Sequence, residues 1–436
     1  MALGCPKNTV DSEKMLADIV QAGLLIAADP DKADVVVINT CGFIEPAKVE
    51  SLEAIRHAVE LKRRGRIRKV IVAGCLSERL GEQLLHEVDG IDAVVGLRHR
   101  DRIAQIIKTT ISSEGPRTYA GGRHLSGTVL DDGTRLLIGP SHRAYLRISE
   151  GCNRRCSFCT IPSIRGPFRS KPLRHVLREA RQLADAGVKE LNLIGQDTTN
   201  YLKDHKVKGG LVHLLGQLQG IKGLTWIRLL YLYPAGITDA LIETIAAGHK
   251  IVLYLDIPIQ HVNDRILKAM RRPDRHDKLC RLMERLRKAV PDIVLRTTVI
   301  VGFPGETDQE FEQLLEFVRG VEFDALGCFR FYPEPGTSAA KLPNQIPDSL
   351  KQQRLEQVML TQQAIAFAKQ EARIGTELTC LVDSVRADGT AHGRFYGQAP
   401  EVDSICIIQD CTAQPGQFIK TRVVAVRDYD LVVKPV

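Results

Sequence analysis

No apolar run in the chain approaches eighteen residues, which excludes a membrane-spanning helix. The first residues, Met-Ala-Leu-Gly-Cys-Pro-Lys, lack the basic stretch and apolar core of a secretory signal. There is also little excess charge. A net +8 over 436 residues permits a nucleic-acid or ribosomal partner without demanding one. Cysteine, by contrast, is plentiful. Eleven of them, an odd number in a chain without a secretion signal, argue for thiolate chemistry in a reducing cytoplasm rather than for a disulfide framework. A hydrophobic fraction of 44% is enough for real cores, and the length suits two or three domains.

Three cysteines, Cys152, Cys156 and Cys159, fall within eight residues in the run Ser149-Glu-Gly-Cys-Asn-Arg-Arg-Cys-Ser-Phe-Cys-Thr-Ile-Pro162. A structural zinc site would want four ligands, and no fourth Cys or His follows nearby. Three thiolates on one loop can instead grip three irons of a [4Fe–4S] cube and leave the fourth iron open to another ligand. The competing reading is three reduced thiols with no metal.

A second set, Cys5, Cys41 and Cys75, is spaced by 36 and 34 residues, and each member ends a strand candidate. Parallel strands joined by helices put their carboxyl ends on one edge. These thiols therefore converge in the expected fold, and Gly4, Gly42 and Gly74 beside them suit tight turns. Again there are three ligands and no obvious fourth, which points to a second cluster with an exchangeable iron. Three unrelated buried thiols are the alternative. Cys280, Cys328, Cys380, Cys406 and Cys411 read as packing residues.

Apolar runs at residues 34–39, 69–73 and 92–95 read as buried parallel strands between helical faces, making 1–111 an α/β layer domain. Residues 112–142 form a Gly/Pro-rich connector, with a hairpin expected over 129–136 around Asp132-Gly133. Six further strand candidates (144–149, 190–194, 226–231, 251–257, 294–301 and 325–331) alternate with helices, one of them capped by Thr307 and Glu310. They make 143–370, with its closing helix, a partial, open (β/α)6 barrel whose ligands gather at the strand ends. Residues 371–436 carry four short strand candidates with Gly and Pro between them, a small all-β, OB-like barrel.

The Cys-x3-Cys-x2-Cys spacing with Phe158 before its third cysteine resembles the radical S-adenosylmethionine (SAM) enzymes. With the second cysteine set and the C-terminal barrel, nearly the whole chain resembles the methylthiotransferases. That family places an N-terminal methylthiotransferase domain and a TRAM barrel on either side of the radical-SAM domain. One branch modifies an adenosine of transfer RNA, and the other an aspartate of small-subunit ribosomal protein twelve. Gly4-Cys-Pro-Lys7, Gln196-Asp-Thr-Thr199, Arg228-Leu-Leu-Tyr-Leu-Tyr-Pro234 and Ala399-Pro-Glu-Val-Asp403 resemble the second branch. The chain departs from the family in having only four residues before Cys5, which leaves its first strand short.

The resemblance implies two [4Fe–4S] clusters and SAM as cofactors. Cys152, Cys156 and Cys159 would hold the SAM-cleaving cluster, and Cys5, Cys41 and Cys75 the sulfur-donating one. It places Phe158, Gln196, Asp197, Pro258, Gln260 and Gly302 around SAM. It implies a cytoplasmic enzyme that adds a methylthio group to the aspartate β-carbon of ribosomal protein twelve, free or in the ribosome. An electron donor such as flavodoxin or ferredoxin would serve it. The transfer-RNA branch and a non-enzymatic iron–sulfur protein that binds the ribosome or RNA are the alternatives. Charge adds a hint, because residues 374–436 hold six basic against eight acidic residues, net −2. A mildly acidic barrel, with Glu401 and Asp403 on it, suits a basic protein partner better than RNA. The basic run at 62–69 ends a helix, where cations favour the dipole. It reads as a solvated turn, with contact to ribosomal RNA as the alternative.

Overall fold

Val70 and Val72 point to one face of a buried strand, and Ile71 and Ala73 to the other. Both faces are covered, which is why the sequence there is continuously apolar rather than alternating. The strand belongs to a computed structural model that describes residues 1–120 and 131–436. The chain forms two units, one comprising Met1–Gly139, Glu150–Arg154 and Cys159–His175, the other Pro140–Ser149, Arg155–Phe158 and Val176–Val436.

The first unit is built on four strands in sequential order: β1 (Val35–Thr40), β2 (Lys69–Gly74), β3 (Ala93–Val95) and β4 (Arg117–Tyr119). All neighbours are parallel. Helices α2 (Glu45–Arg63), α3 (Cys75–Leu80) and α4 (Gln83–Glu87) cover one face through Ile55, Val59, Leu76 and Leu84. Helices α1 (Pro6–Gln21) and α5 (Ile103–Ile111) cover the other through Met15, Ile103, Ile106 and Ile107. Each such buried side chain contributes about 1.5–3 kcal/mol. The short N-terminal segment still joins the sheet, with Ala2 bridging Asn39 in parallel and Leu3 N–H donating to the Asn39 carbonyl at 2.9 Å.

Two expectations for the connector differ. Residues 117–119 form strand β4 rather than irregular chain, because they extend the sheet beside β3. Of the expected hairpin, 129 and 130 lie outside the described residues, and 131–136 form no strand. These residues are pinned elsewhere. The Leu136 N–H donates to the Glu13 carbonyl at 3.0 Å, Arg135 pairs with the Glu13 carboxylate at 2.8 Å, and Asp132 pairs with Arg100 at 2.9 Å. Partners on α1 and near α5 outcompete a local ladder.

In the second unit the six strand candidates form one parallel sheet. They are β5 (Arg143–Arg147), β6 (Glu190–Ile194), β7 (Trp226–Leu229), β8 (Ile251–Asp256), β9 (Val294–Val301) and β10 (Ala325–Arg330), in spatial order β10-β9-β8-β7-β6-β5. Helix α6 (Ile161–Arg165), in the first unit, and α7 (Leu173–Asp185) lie between β5 and β6 in sequence. Then come α8 (Gly210–Gln219), α9 (Asp239–Ala246), α10 (Asp264–Ala269), α11 (His276–Ala289) and α12 (Asp308–Val321). Thr307 and Glu310 make the expected capping box on α12. Helix α13 (Asp348–Glu371) leads to a closed barrel of β11 (Glu377–Val385), β12 (Ala391–Phe395), β13 (Cys406–Ile408), β14 (Phe418–Arg427) and β15 (Asp430–Pro435). The sequence pattern marks four strands. The fifth follows β14 after only two residues and closes the barrel by pairing with both β13 and β14. Cys380, Cys406 and Cys411 pack its core as expected, whereas Cys280 and Cys328 are only partly buried.

The small barrel is joined to the six-stranded sheet through charges. Glu190, fully buried at the start of β6, accepts from Arg228 at 2.9 Å and from Arg394 of β12 at 2.8 Å. Tyr254 donates its hydroxyl to Asp403 at 2.7 Å, and Tyr145 donates to Glu401 at 2.9 Å. The expected acidic face for a basic partner is therefore corrected at Asp403. The Asp403 side chain is only 6% exposed and lies 3.4 Å from Arg296, and Glu401 pairs with Arg143 at 3.1 Å. Their charges are answered within the chain.

Candidate functional site

The parallel register sets Thr40 beside Gly74, so the next residues, Cys41 and Cys75, leave the sheet side by side. Cys5 caps the start of α1, Cys41 follows β1, and Cys75 opens α3. The structure thus brings all three to one edge of the sheet. The glycines explain how closely. A Cβ on Gly4 would fall 2.8 Å from Cys41 Cβ and 3.3 Å from its sulfur. One on Gly74, whose φ is +97°, would fall 2.3 Å from Asn39 Oδ1. Gly42 is required for a different reason from the turn expected: its added Cβ would strike the Leu76 Cα at 2.8 Å.

Two side chains outside the cysteine pattern hold this edge together. Asn8, in the first turn of α1, donates its amide to the Thr40 carbonyl at 2.8 Å and to the Leu3 carbonyl at 3.1 Å. Arg165, at the end of α6, donates to Asn8 Oδ1 at 2.7 Å, to Asp11 at 3.1 Å, and to Cys75 Sγ at 3.2 Å. Their available signals were position alone: Asn8 lies three residues after Cys5, and Arg165 six after Cys159, just before Gly166.

Burial pushes the Cys75 thiol up to about 12, opposed by Arg165 and reinforced by the nearby Cys5 and Cys41 charges. Burial also raises Cys41, with Cys5 adding to it. A lone thiolate is costly here, and a bound cation would remove that cost, as expected of a site that ionises on loading. Among the described residues no three His, Cys, Asp or Glu side chains converge on a single-ion geometry. Three thiolates that each hold a different corner of a cube have no need to do so. The donor set therefore fits a cluster: three sulfurs on one edge, with a guanidinium directed at one of them.

In the triad loop, backbone N–H groups are directed at sulfur, as around cluster thiolates. The Arg154 N–H lies 3.4 Å from Cys152 Sγ, and the Ile161 N–H 3.4 Å from Cys159 Sγ. The Cys152 N–H donates to the Gly166 carbonyl at 3.1 Å. Cys156 is partly buried. Phe158 packs against Ile266, Met270, Phe303 and Phe331, while Ser157 donates to the Ala269 carbonyl at 2.8 Å. The aromatic ring is thus fixed by aliphatic and aromatic neighbours.

The remaining candidates follow strand ends, but their environments differ. The Asp197 carboxylate is engaged by Thr199 at 2.5 Å and by Asn200 at 2.6 Å, holding the turn after β6, and Gln196 beside it is partly buried. The Pro258 carbonyl accepts from Arg272 at 2.9 Å. Gln260, at φ +71°, bridges Val299 of β9. At Gly302, φ +70°, an added Cβ would strike the Lys351 side chain at 2.3 Å, so packing against α13 itself requires glycine there.

Three family profiles match: the uncharacterized protein family UPF0004 over residues 1–96, the Radical SAM superfamily over 146–318, and the TRAM domain over 374–436. The ribosomal protein uS12 methylthiotransferase RimO of Syntrophomonas wolfei is 43% identical, over 99% of this chain and 98% of that protein. The protein of the same name from Geobacter sulfurreducens is 43% identical, over 99% and 97%. Among solved structures, the cobalamin-dependent S-adenosylmethionine radical enzyme OxsB matches at TM-score 0.50 and 11% identity, covering 82% of this chain and 55% of that one, a likeness of fold.

Proposed function

This chain belongs to the ribosomal protein uS12 methylthiotransferase family of radical-SAM enzymes, and from that premise we propose that it adds a methylthio group to the β-carbon of an aspartate of that ribosomal protein. The observation that carries the reading is the convergence of Cys5, Cys41 and Cys75 on one sheet edge, in a chain that also carries the Cys152, Cys156, Cys159 triad. A radical-SAM enzyme needs only the triad. The second set is what sulfur insertion requires.

Cys152, Cys156 and Cys159 would hold the cluster that binds SAM, and Cys5, Cys41 and Cys75 would hold the other. When bound, these groups supply a carbon-centred radical from SAM, the sulfur, and, from a second SAM, the methyl group. The chain's own residues orient and enclose. Gly166 fixes the Cys152 backbone through its carbonyl. Phe158 stands on a packed base, from which it would flank the adenine. Gln196, Pro258, Gln260 and Gly302 follow strands β6, β8 and β9, where ligands of such sheets collect. Asp197 orients the turn that carries Gln196, its carboxylate being held by Thr199 and Asn200. The substrate places the enzyme's work in the cytoplasm, with a flavodoxin- or ferredoxin-type protein as electron donor.

Anaerobic incubation of the reconstituted chain with SAM, reductant, a sulfide source and uS12 tests the reading. The expected product is uS12 with a methylthio adduct on one aspartate, read by mass spectrometry. Modification of a transfer-RNA adenosine instead would assign the other branch. Absence of SAM cleavage would exclude an enzyme.

A further inference from the structure

Arg165 lies within a buried line of alternating charge. Its guanidinium, 3% exposed, pairs with Glu150 and with Asp11, each at 3.1 Å. Asp11 also pairs with Arg100 at 2.6 Å, Arg100 with Asp132 at 2.9 Å, and Asp132 with Lys171 at 2.6 Å. Arg100 also meets Asp101 at 3.1 Å. Arg165 Nη2, the nitrogen that meets Asp11, also reaches Cys75 Sγ at 3.2 Å. The next residue, Gly166, accepts the Cys152 N–H. One two-residue corner therefore touches a ligand residue from each cysteine set.

We propose that Arg165 raises the reduction potential of the cluster held by Cys5, Cys41 and Cys75, through a charged hydrogen bond to the Cys75 sulfur. This rests on the reading of those three cysteines as cluster ligands. Adding an electron to a cluster increases the negative charge on its sulfurs. A cationic donor fixed beside one sulfur favours the reduced state over the oxidised one. Burial matters because the same charge in water would be screened. The planar fork matters too: Nη1 meets Glu150 while Nη2 shares its two hydrogens among Asn8, Asp11 and the sulfur, a two-nitrogen span that the single nitrogen of a lysine ammonium cannot reproduce. Arg165 is a positioning and tuning residue in this account; the sulfur chemistry stays with the cluster.

The test uses the full chain carrying Cys156→Ala, so that only the second cluster is observed. Anaerobically reconstituted protein is titrated in the presence of redox mediators, and the reduced cluster is followed by electron paramagnetic resonance. Arg165→Gln is expected to retain about four irons and to raise the ratio of oxidised to reduced cluster about tenfold at a given potential, a fall of about 59 mV for one electron. Arg165→Lys, which keeps the charge without the fork, is expected to shift less. An intact cluster in Arg165→Gln with an unmoved midpoint would overturn the proposal. Equal shifts in both variants would also overturn it, since they would report packing rather than charge. Loss of the cluster from both would make Arg165 a folding residue and overturn it likewise. No cluster in the Cys156→Ala parent would instead sink the assignment of Cys5, Cys41 and Cys75 as ligands, and the tuning role with it.

Discussion

Arg394 of the small barrel donates to the carboxylate of Glu190, at the start of β6, across 2.8 Å, and both side chains are almost wholly buried. Arg394→Ala removes one of the two arginines around that carboxylate and leaves it short of partners in low dielectric. Breaking a buried pair in this way costs about 3–5 kcal/mol. Denaturant unfolding of the full chain under anaerobic conditions should show the loss. A change within experimental error would mean that water or Arg228 replaces the missing cation.

The same contact gives a sign to the acid limb of stability. Burial alone would raise both Glu190 and Asp383. Arg394 and Arg228 around the first, and His142 and Arg394 around the second, pull both below the ordinary carboxylate range. Depressed carboxylates stabilise the fold above their unfolded values of about 4 and lose that contribution as pH falls through the lower folded values. Stability should therefore decline below about pH 4, and Arg394→Ala should flatten that decline. An unchanged acid slope in the variant would remove these two groups as its cause.

Ending the chain after Arg373 should do more than remove the small barrel. It strips partners from Glu190, Arg228, Tyr254 and Arg296 together. The truncated protein should unfold at least about 5 °C lower than the parent, or fail to stay in solution, since 1 kcal/mol alone moves the midpoint of a large domain by about 2–4 °C. A truncated chain that melts with the parent and cleaves SAM normally would show the barrel to be an independent appendage.

Iron content separates the two cysteine sets. The reconstituted parent should hold about eight irons, and the triple replacement of Cys5, Cys41 and Cys75 by Ala about four. Cys156→Ala should abolish reductive SAM cleavage. Cys41→Ala should still yield 5′-deoxyadenosine but attach no methylthio group to uS12. Normal SAM cleavage by both variants would show the roles to be wrongly divided.

Gly74→Ala tests the edge geometry without touching a sulfur. Its methyl would meet Asn39 Oδ1 at 2.3 Å and the Thr40 carbonyl at 2.6 Å, at a φ of +97°. Backbone strain of this kind costs about 1–3 kcal/mol before any clash. The variant should lose the second cluster selectively and keep about four irons. Eight irons in it would mean that the strand end is not where the ligand set is fixed.

Much of this architecture was legible because strand and helix periods are local. The six strands from β5 to β10 and the Thr307 capping box on α12 follow from residues near one another in sequence. Convergence of Cys5, Cys41 and Cys75 was legible for another reason, that parallel strands share a carboxyl edge. What escaped depends on partners distant in the chain. Asp403 looks like a surface acid until Tyr254 and Arg296 are known to face it. Strand β15 is a short tail whose pairing with β13 only the closed barrel reveals. Arg165 carries no periodic signal, since its meaning comes from Cys75, ninety residues earlier.

The membership of residues 150–154 and 159–175 in the first unit bears on how such chains can be recombined. A graft that exchanges the amino-terminal segment at the Gly/Pro-rich linker would separate the Arg165–Gly166 corner from the thiol and the helix turn it was shaped against. Asn8, Asp11 and Cys75 would come from one parent, and their guanidinium partner from another. A hybrid meant to carry the second cysteine set into a relative would need to bring residues 161–166 along, or to find the same arginine already waiting in the recipient.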